Sequence, residues 1–226
     1  GRTRAPAQHS SARASFRAKS AADGAPPQGR RQRRSQASRA MAAIAERPPP
    51  LDVAFGDIHK QNIGMLRTLN EHTFPVRYAD KFYDEIPTLP PDFAQFAYCG
   101  GLAVGAVCGR LEQCGDQKKL YIMTIGVLHA YRRRGVGRKL LDYLLANAAT
   151  RPEIRAVYLH VQTSNDAAMD FYGRAGFEAV GTIRGYYKRI EPPDCFVLAK
   201  AINAPEGTAP RCADLLADVK NVEWKA

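Results

Sequence analysis

The 226-residue sequence contains no CxxC pair, a single tryptophan and no apolar run long enough to cross a bilayer. Its least charged stretch, residues 93–109, is broken by Gln95 and by Gly100-Gly101, and a spanning helix needs about 20 apolar residues. The five cysteines (Cys99, Cys108, Cys114, Cys195 and Cys212) are irregularly spaced. An odd count without a signal peptide points to reduced thiols in an intracellular protein. The five histidines (His9, His59, His72, His129 and His160) are scattered and lack metal-ligand spacing, so no metal is expected.

Acidic residues are almost missing from one region. Residues 1–40 carry nine arginines and Lys19 against Asp23 alone, which leaves only 23 basic and 21 acidic groups in the rest of a chain of net charge +11. The basicity therefore belongs to a tail. That tail is rich in Arg, Ser, Ala, Gln and Gly and cannot bury enough apolar surface to offset chain entropy, so disorder is expected. Three readings of it stay open. Its composition suits an organellar transit peptide. Arg30-Arg31-Gln32-Arg33-Arg34 suits nucleic-acid phosphates without sequence preference. Alternatively it is foreign to the native chain, with Met41 as the start.

Pro48-Pro49-Pro50 closes the tail. The composition divides the chain into residues 1–50, a folded domain over 51–203 and a C-terminal extension over 204–226. Within the domain, Ile63, Leu66, Leu69 and Asn70 form a helical stripe that ends before Phe74-Pro75. Residues 102–110 read as a strand, Gln113–Lys119 as a hairpin turn, and Leu120–Val127 as a central, nearly continuous apolar strand. A helix then opens at Gly135-Val136-Gly137, with Val136, Leu140, Leu141, Leu144 and Leu145 on one side. In the strand over 156–162, Val157, Leu159 and Val161 share one face, and Tyr158 and His160 the other. Thr163-Ser164-Asn165-Asp166 starts a helix that runs to a C-cap at Gly176. This alternation implies an α/β (α+β) domain with a mixed, partly parallel sheet. The extension is read as loose, with a short helix near 212–222.

Arg132-Arg133-Arg134-Gly135-Val136-Gly137 lies between a buried strand and a helix. Glycines there let the backbone approach an anion, and the first-turn N–H groups are unpaired donors pointing at it. A basic GxG alone is weak evidence, equally compatible with a turn before an exposed basic helix. It is followed, however, by a second strand and by Asn-x-x-Ala-x-x-Phe-Tyr-x-x-x-Gly-Phe over Asn165 to Phe177. Together the two motifs resemble the GNAT acetyltransferase superfamily over residues 51–202. Four further segments, Phe74–Tyr78, Leu120–Thr124, Tyr158–Gln162 and Tyr186–Pro192, resemble its NatE-type protein N-terminal acetyltransferases.

The resemblance implies acetyl-CoA as co-substrate and acceptor N-termini of Met followed by an apolar residue. Members of that group can dock on the ribosome-bound NatA complex, and the resemblance implies a cytoplasmic or also nuclear location and no membrane. The cofactor set it implies is Ile125, Val127, Arg132, Arg133, Arg134, Gly135, Gly137, Arg138, Asn165 and Tyr172. Phe74, Pro75, Val76, Tyr78, Met123, Tyr186, Tyr187 and Ile190 match its peptide-binding residues. Tyr121 and His160 match its catalytic pair. A lone strand histidine is more often structural, but an imidazole has the intrinsic pKa for general-base work near neutrality. Backbone N–H groups near Ile125–Val127 would polarise the acyl carbonyl, and Tyr172 would assist departure of the CoA sulfur. No cysteine nucleophile is needed, which favours direct transfer in a ternary complex. Two features depart from the pattern: the Pro-rich segment 86–93, and Arg138 in place of a small polar residue. Acetylation of a lysine or small amine is the alternative activity, and a non-catalytic CoA-binding subunit is a third reading.

Overall fold

A computed structural model of the chain describes residues 49–203 and 216–224. The basic tail, Cys212 and the first part of the extension lie outside the described residues. The described strands are β1 (Ala54–Asp57), β2 (Ala94–Cys99), β3 (Leu102–Cys114), β4 (Gln117–Val127), β5 (Ile154–Gln162), β6 (Glu178–Ile183), β7 (Cys195–Ala201) and β8 (Glu223–Trp224). They form one sheet in the order β1-β2-β3-β4-β5-β7-β6-β8. Every pairing is antiparallel except β4 with β5. The helices are α1 (Ile63–Thr73), α2 (Asp80–Glu85), α3 (Val136–Ala149) and α4 (Asp166–Gly173).

Local chemistry explains the hairpins. Gly100 and Gly101 have φ of 57° and 82°, the left-handed pair that a two-residue turn matched to strand twist demands. The next turn is tighter than its polar composition suggested. Cys114 still pairs with Gln117, so only Gly115 and Asp116 leave the ladder. The polar side chains of Gln113, Lys118 and Lys119 belong to strands.

Two cores sandwich the sheet. On one face α3 buries Val136, Leu140, Leu141 and Leu144 against Val107, Leu120, Ile122, Val157 and Leu159. A buried leucine contributes about 1.5–3 kcal/mol relative to an exposed one, so this stripe holds the helix. On the other face α1 and α2 set Leu66, Leu69 and Tyr83 against Phe96, Ala106 and Cys108. The helix end near Gly176 is a Schellman motif: Gly176 N–H bonds Gly173 O at 3.0 Å and Phe177 N–H bonds Tyr172 O at 3.1 Å, with Gly176 at φ 81°. Residues 216–222, read as part of a helix, form turns instead and lead into β8, which pairs with β6.

Candidate active site

The site begins where two neighbouring strands part. β4 and β5 pair in parallel only from Lys118/Ile154 to Tyr121/Tyr158. Beyond that point β4 stays on β3 and β5 on β7. A register shift helps to open the gap: Cys108 faces Thr124 and Gly109 faces Ile122, which leaves Met123 as an extra residue. Such a bulge re-aims the strand. It also explains how Leu120 and Ile122, then Ile125 and Val127, all reach the same core.

The freed edge of β4 has a defined polarity. Leu128 N–H bonds Val104 O at 2.9 Å, so the pairs Gly105/Val127 and Val107/Ile125 are of the non-hydrogen-bonded kind. In such pairs the amides point away from the partner strand. The N–H groups of Ile125 and Val127 therefore point toward the side that β5 has vacated.

A cavity of about 340 Å³ fills this gap. The expected residues Tyr121, Met123, Ile125, His160, Asn165 and Tyr172 line it. So do Phe74, Pro75, Val76 and Tyr78 from the loop after α1, and Tyr186, Tyr187 and Ile190 from the loop after β6. Packing fixes both loops. Gly126 makes room for the first, because a Cβ there would lie 2.9 Å from Thr73 Cγ2 and 3.1 Å from Phe74 Cζ. The second is tied by Gly185 N–H to Asp194 Oδ1 at 2.8 Å and Gln162 Nε2 to Pro192 O at 2.8 Å.

At the cavity wall His160 Nδ1 lies 3.2 Å from Tyr121 Oη, and the imidazole stacks on Tyr186 with ring centroids 4.7 Å apart. His160 Nε2 is buried with no hydrogen-bond partner among the described residues. The ordinary imidazole pKa assumed from the sequence does not survive this environment. Burial pushes it down to about 4, against an opposing pull from Glu112. Burial, reinforced by the neighbouring Tyr186 phenol, raises Tyr121 well above 10. At neutral pH both rings are uncharged, because a low-dielectric wall disfavours each ionised form.

Val127, at the end of β4, and the expected residues of the loop and helix start over 132–138 lie outside the cavity lining. Gly135 caps the helix in the left-handed region at φ 81°, and the first intrahelical bond runs from Lys139 N–H to Gly135 O. The amides of Val136, Gly137 and Arg138 precede it, so they are helix-start donors without an intrahelical acceptor, suited by chemistry to an anion. The arginines divide. Arg132 donates to Val127 O at 2.9 Å and Thr73 O at 3.3 Å, which ties α1 to β4. Arg134 donates to Pro49 O at 3.3 Å. Arg138, considered as a phosphate contact, is held by Asp142 at 2.8 Å and by Arg174 O, the i,i+4 pairing natural to a helix surface. Arg133, with φ 60°, is exposed. Asn165 accepts from Ala168 N–H at 3.1 Å as the N-cap of α4. Tyr172 is buried, and that burial keeps its phenol protonated. Cys108 is also buried, its thiol pushed up to about 12, which makes it an inert core residue rather than a nucleophile.

Residues 63–177 match the acetyltransferase (GNAT) family. The chain belongs to that family. Among its members, N-alpha-acetyltransferase 50 of Danio rerio is 45% identical over 153 residues, 68% of this chain and 90% of that protein. The probable N-acetyltransferase san of Drosophila melanogaster is 41% identical over 150 residues, 66% of this chain and 81% of that protein. The solved structure of Arabidopsis thaliana Naa50 with the bisubstrate analogue CoA-Ac-MVNAL superposes with a TM-score of 0.63 at 40% identity, covering 66% of this chain and 99% of that one.

Several residues of this region were not singled out from the sequence. Thr124, Leu159, Val161, Gln162 and Ala168 line the cavity. Behind the Tyr121–His160 wall, Tyr158 donates to Glu112 Oε2 at 2.5 Å. Arg110 bridges Glu112 at 2.7 Å and Glu85 at 3.2 Å, with its guanidinium 5.5 Å from the Tyr121 ring centroid. In the sequence Arg110 and Glu112 are only an Arg-x-Glu near a hairpin, and nothing local marks their approach to β5.

Proposed function

We propose that this chain transfers acetyl from acetyl-CoA to the α-amino group of proteins beginning with Met and an apolar residue. The observation that carries the reading is the cavity between the parted strands, with two loops rich in aromatic residues on its rim and the Tyr121–His160 pair on its wall. The likeness to the Arabidopsis enzyme, bound there to an analogue beginning with Met and Val, supports the acceptor class.

The residues fit acetyl-CoA. The helix start at Gly135–Arg138 offers unpaired amides for the diphosphate, with Arg133 exposed beside it. The co-substrate, when bound, supplies an electrophilic thioester carbonyl. The Ile125 and Val127 amides point into the gap and would polarise that carbonyl. Tyr172, a protonated phenol on the cavity wall, would donate to the departing sulfur. The aromatic and apolar rim, Phe74, Val76, Tyr78, Tyr187 and Ile190, would hold a methionine side chain, each buried methylene contributing about 0.8 kcal/mol.

The pKa of His160 sets the timing of proton transfer. An α-ammonium has a pKa of about 7.7–8.0. Moving its proton to an imidazole of pKa about 4 would cost about 5 kcal/mol. Drawing on the neutral amine already present near pH 7.5 costs less than about 1 kcal/mol. The pair is therefore better placed to take the proton after attack, when the nitrogen is a more acidic ammonium than the free α-amine. Nε2 is the acceptor if Nδ1–H is donated to Tyr121. No cysteine among the described residues lines the cavity, which favours direct transfer over an acyl-enzyme.

Residues 51–203 form the catalytic domain in this reading. The NatE-type resemblance supports a cytoplasmic enzyme that associates with NatA on ribosomes, which co-purification with NatA subunits tests. The activity is tested by mass spectrometry after incubating acetyl-CoA and enzyme with Met-Val-, Met-Leu-, Met-Lys- and Ser-starting peptides, and with an N-blocked lysine peptide. Met-apolar peptides should gain one acetyl group fastest. Preferential acetylation of the N-blocked peptide would instead establish the lysine alternative.

A further inference from the structure

We infer that the C-terminal segment, residues 216–224, is a positioning brace for the acceptor side of the site. Three independent contacts point to it. Leu216 is fully buried among Tyr158, Ile183, Cys195, Val197 and Ala199, and this cluster borders Tyr121 and Tyr187. Asp218 pairs with Lys119, whose side chain is only 3% exposed and whose Nζ sits 5.4 Å from the Tyr158 ring centroid. Glu223 holds Arg184 at 2.9 Å, two residues before Tyr186 on the rim loop.

Tyr158 is the relay. Its ring lies 5.0 Å from that of Tyr121 and 5.9 Å from that of His160, while its hydroxyl is fixed by Glu112. Asp218 acts on this ring through Lys119. Without the carboxylate, a buried ammonium would lose its counter-charge beside Tyr158, and such groups move or draw in water rather than stay unpaired. Leu216 closes the same cluster from outside. Gly181 shows that the docking is built in: a Cβ there would come within 2.4 Å of Val222 Cγ1 and 3.0 Å of Glu223 O. A side chain at this position would force Val222 and Glu223 to shift for β8 to pair with β6.

None of the described residues 216–224 joins the core beneath α3, so the brace serves the acceptor half and leaves the anion-binding helix start untouched. The inference rests on the assignment of Tyr121, His160, Tyr186 and Tyr187 to that half. It predicts a split between substrates. In the full chain, Asp218→Asn and Gly181→Ala should each lower kcat/KM for a Met-Val peptide about tenfold, equivalent to about 1.4 kcal/mol. The acetyl-CoA Kd from calorimetry should stay within about twofold in the same preparations. Asp218→Glu should restore most of the loss. His160→Ala is measured alongside. Unchanged peptide kinetics in both variants, with His160→Ala inactive, overturns the brace alone. Peptide turnover and acetyl-CoA affinity falling together also overturns it, since that marks general destabilisation. An active His160→Ala overturns the site reading on which the brace depends.

Discussion

Lowering the pH from 7.5 to 4.5 distinguishes a neutral, desolvated His160 from one with ordinary solvation. In the folded chain burial holds its pKa at about 4, against 6.5 when unfolded. Above pH 6.5 both states hold a neutral ring, so His160 adds no pH dependence there. Between 6.5 and 4 the unfolded chain takes up a proton that the folded chain refuses, so stability falls as pH falls. The limit is about 3 kcal/mol, reached below pH 4. Carboxylates also titrate in this range, and for that reason the comparison is with His160→Gln, which keeps them. Denaturant unfolding at half-unit pH steps should show wild type losing up to about 3 kcal/mol more than the variant over the window. Kinetics supply the second arm. The acidic limb of kcat/KM for a Met-Val peptide should follow the α-amine near 7.7–8.0, with no step near 6.5. Parallel stability curves for the two proteins, or a limb near 6.5 that moves with Tyr121 substitution, would refute a buried neutral imidazole.

Three further outcomes are expected. Tyr121→Phe removes the hydroxyl 3.2 Å from His160 Nδ1 and should cut kcat about 10²–10⁴-fold with acetyl-CoA affinity unchanged; single-turnover assays at saturating acetyl-CoA check it. Gly135→Asp places a side chain at φ 81° and a negative charge at the helix start, so calorimetry should show acetyl-CoA binding lost; retained binding would move the diphosphate elsewhere. Gly126→Ala pushes a methyl against Thr73 and Phe74 and should raise the peptide KM several-fold with little change in kcat. An unchanged KM would mean that Phe74 does not shape the acceptor pocket.

What the sequence determined by itself is what short-range bonding and periodicity dictate. The polar run over 113–119 marked the hairpin between β3 and β4, because its Gly115 supplies the left-handed backbone that a two-residue turn needs. The leucine stripe over residues 136–145 marked the buried face of α3. Asn165 and Gly176 marked the ends of the α4 turn, because capping groups satisfy amides and carbonyls within a few residues. Tyr158 and His160 were assigned to one face by strand alternation alone. The family was legible for the same reason: its two motifs are local loops and helix starts.

Tertiary structure decided the rest, because it depends on groups distant in the chain. Nothing in the uniform apolar run over 120–127 discloses the bulge at Met123 or the point at which β4 leaves β5, since both arise from competing ladders with β3 and β7. Arg132 and Arg138 belong to the expected cofactor set, and the contacts of their guanidinium groups with Thr73, Asp142 and Arg174 come from residues that no local pattern links to them. The depressed pKa of His160 comes from desolvation by its assembled neighbours, which no single position encodes. The seating of Leu216 against Tyr158 needs a partner 58 residues away. An isolated strand or loop cannot specify such contacts: their free energy exists only once the intervening chain has folded and water has left the space between them.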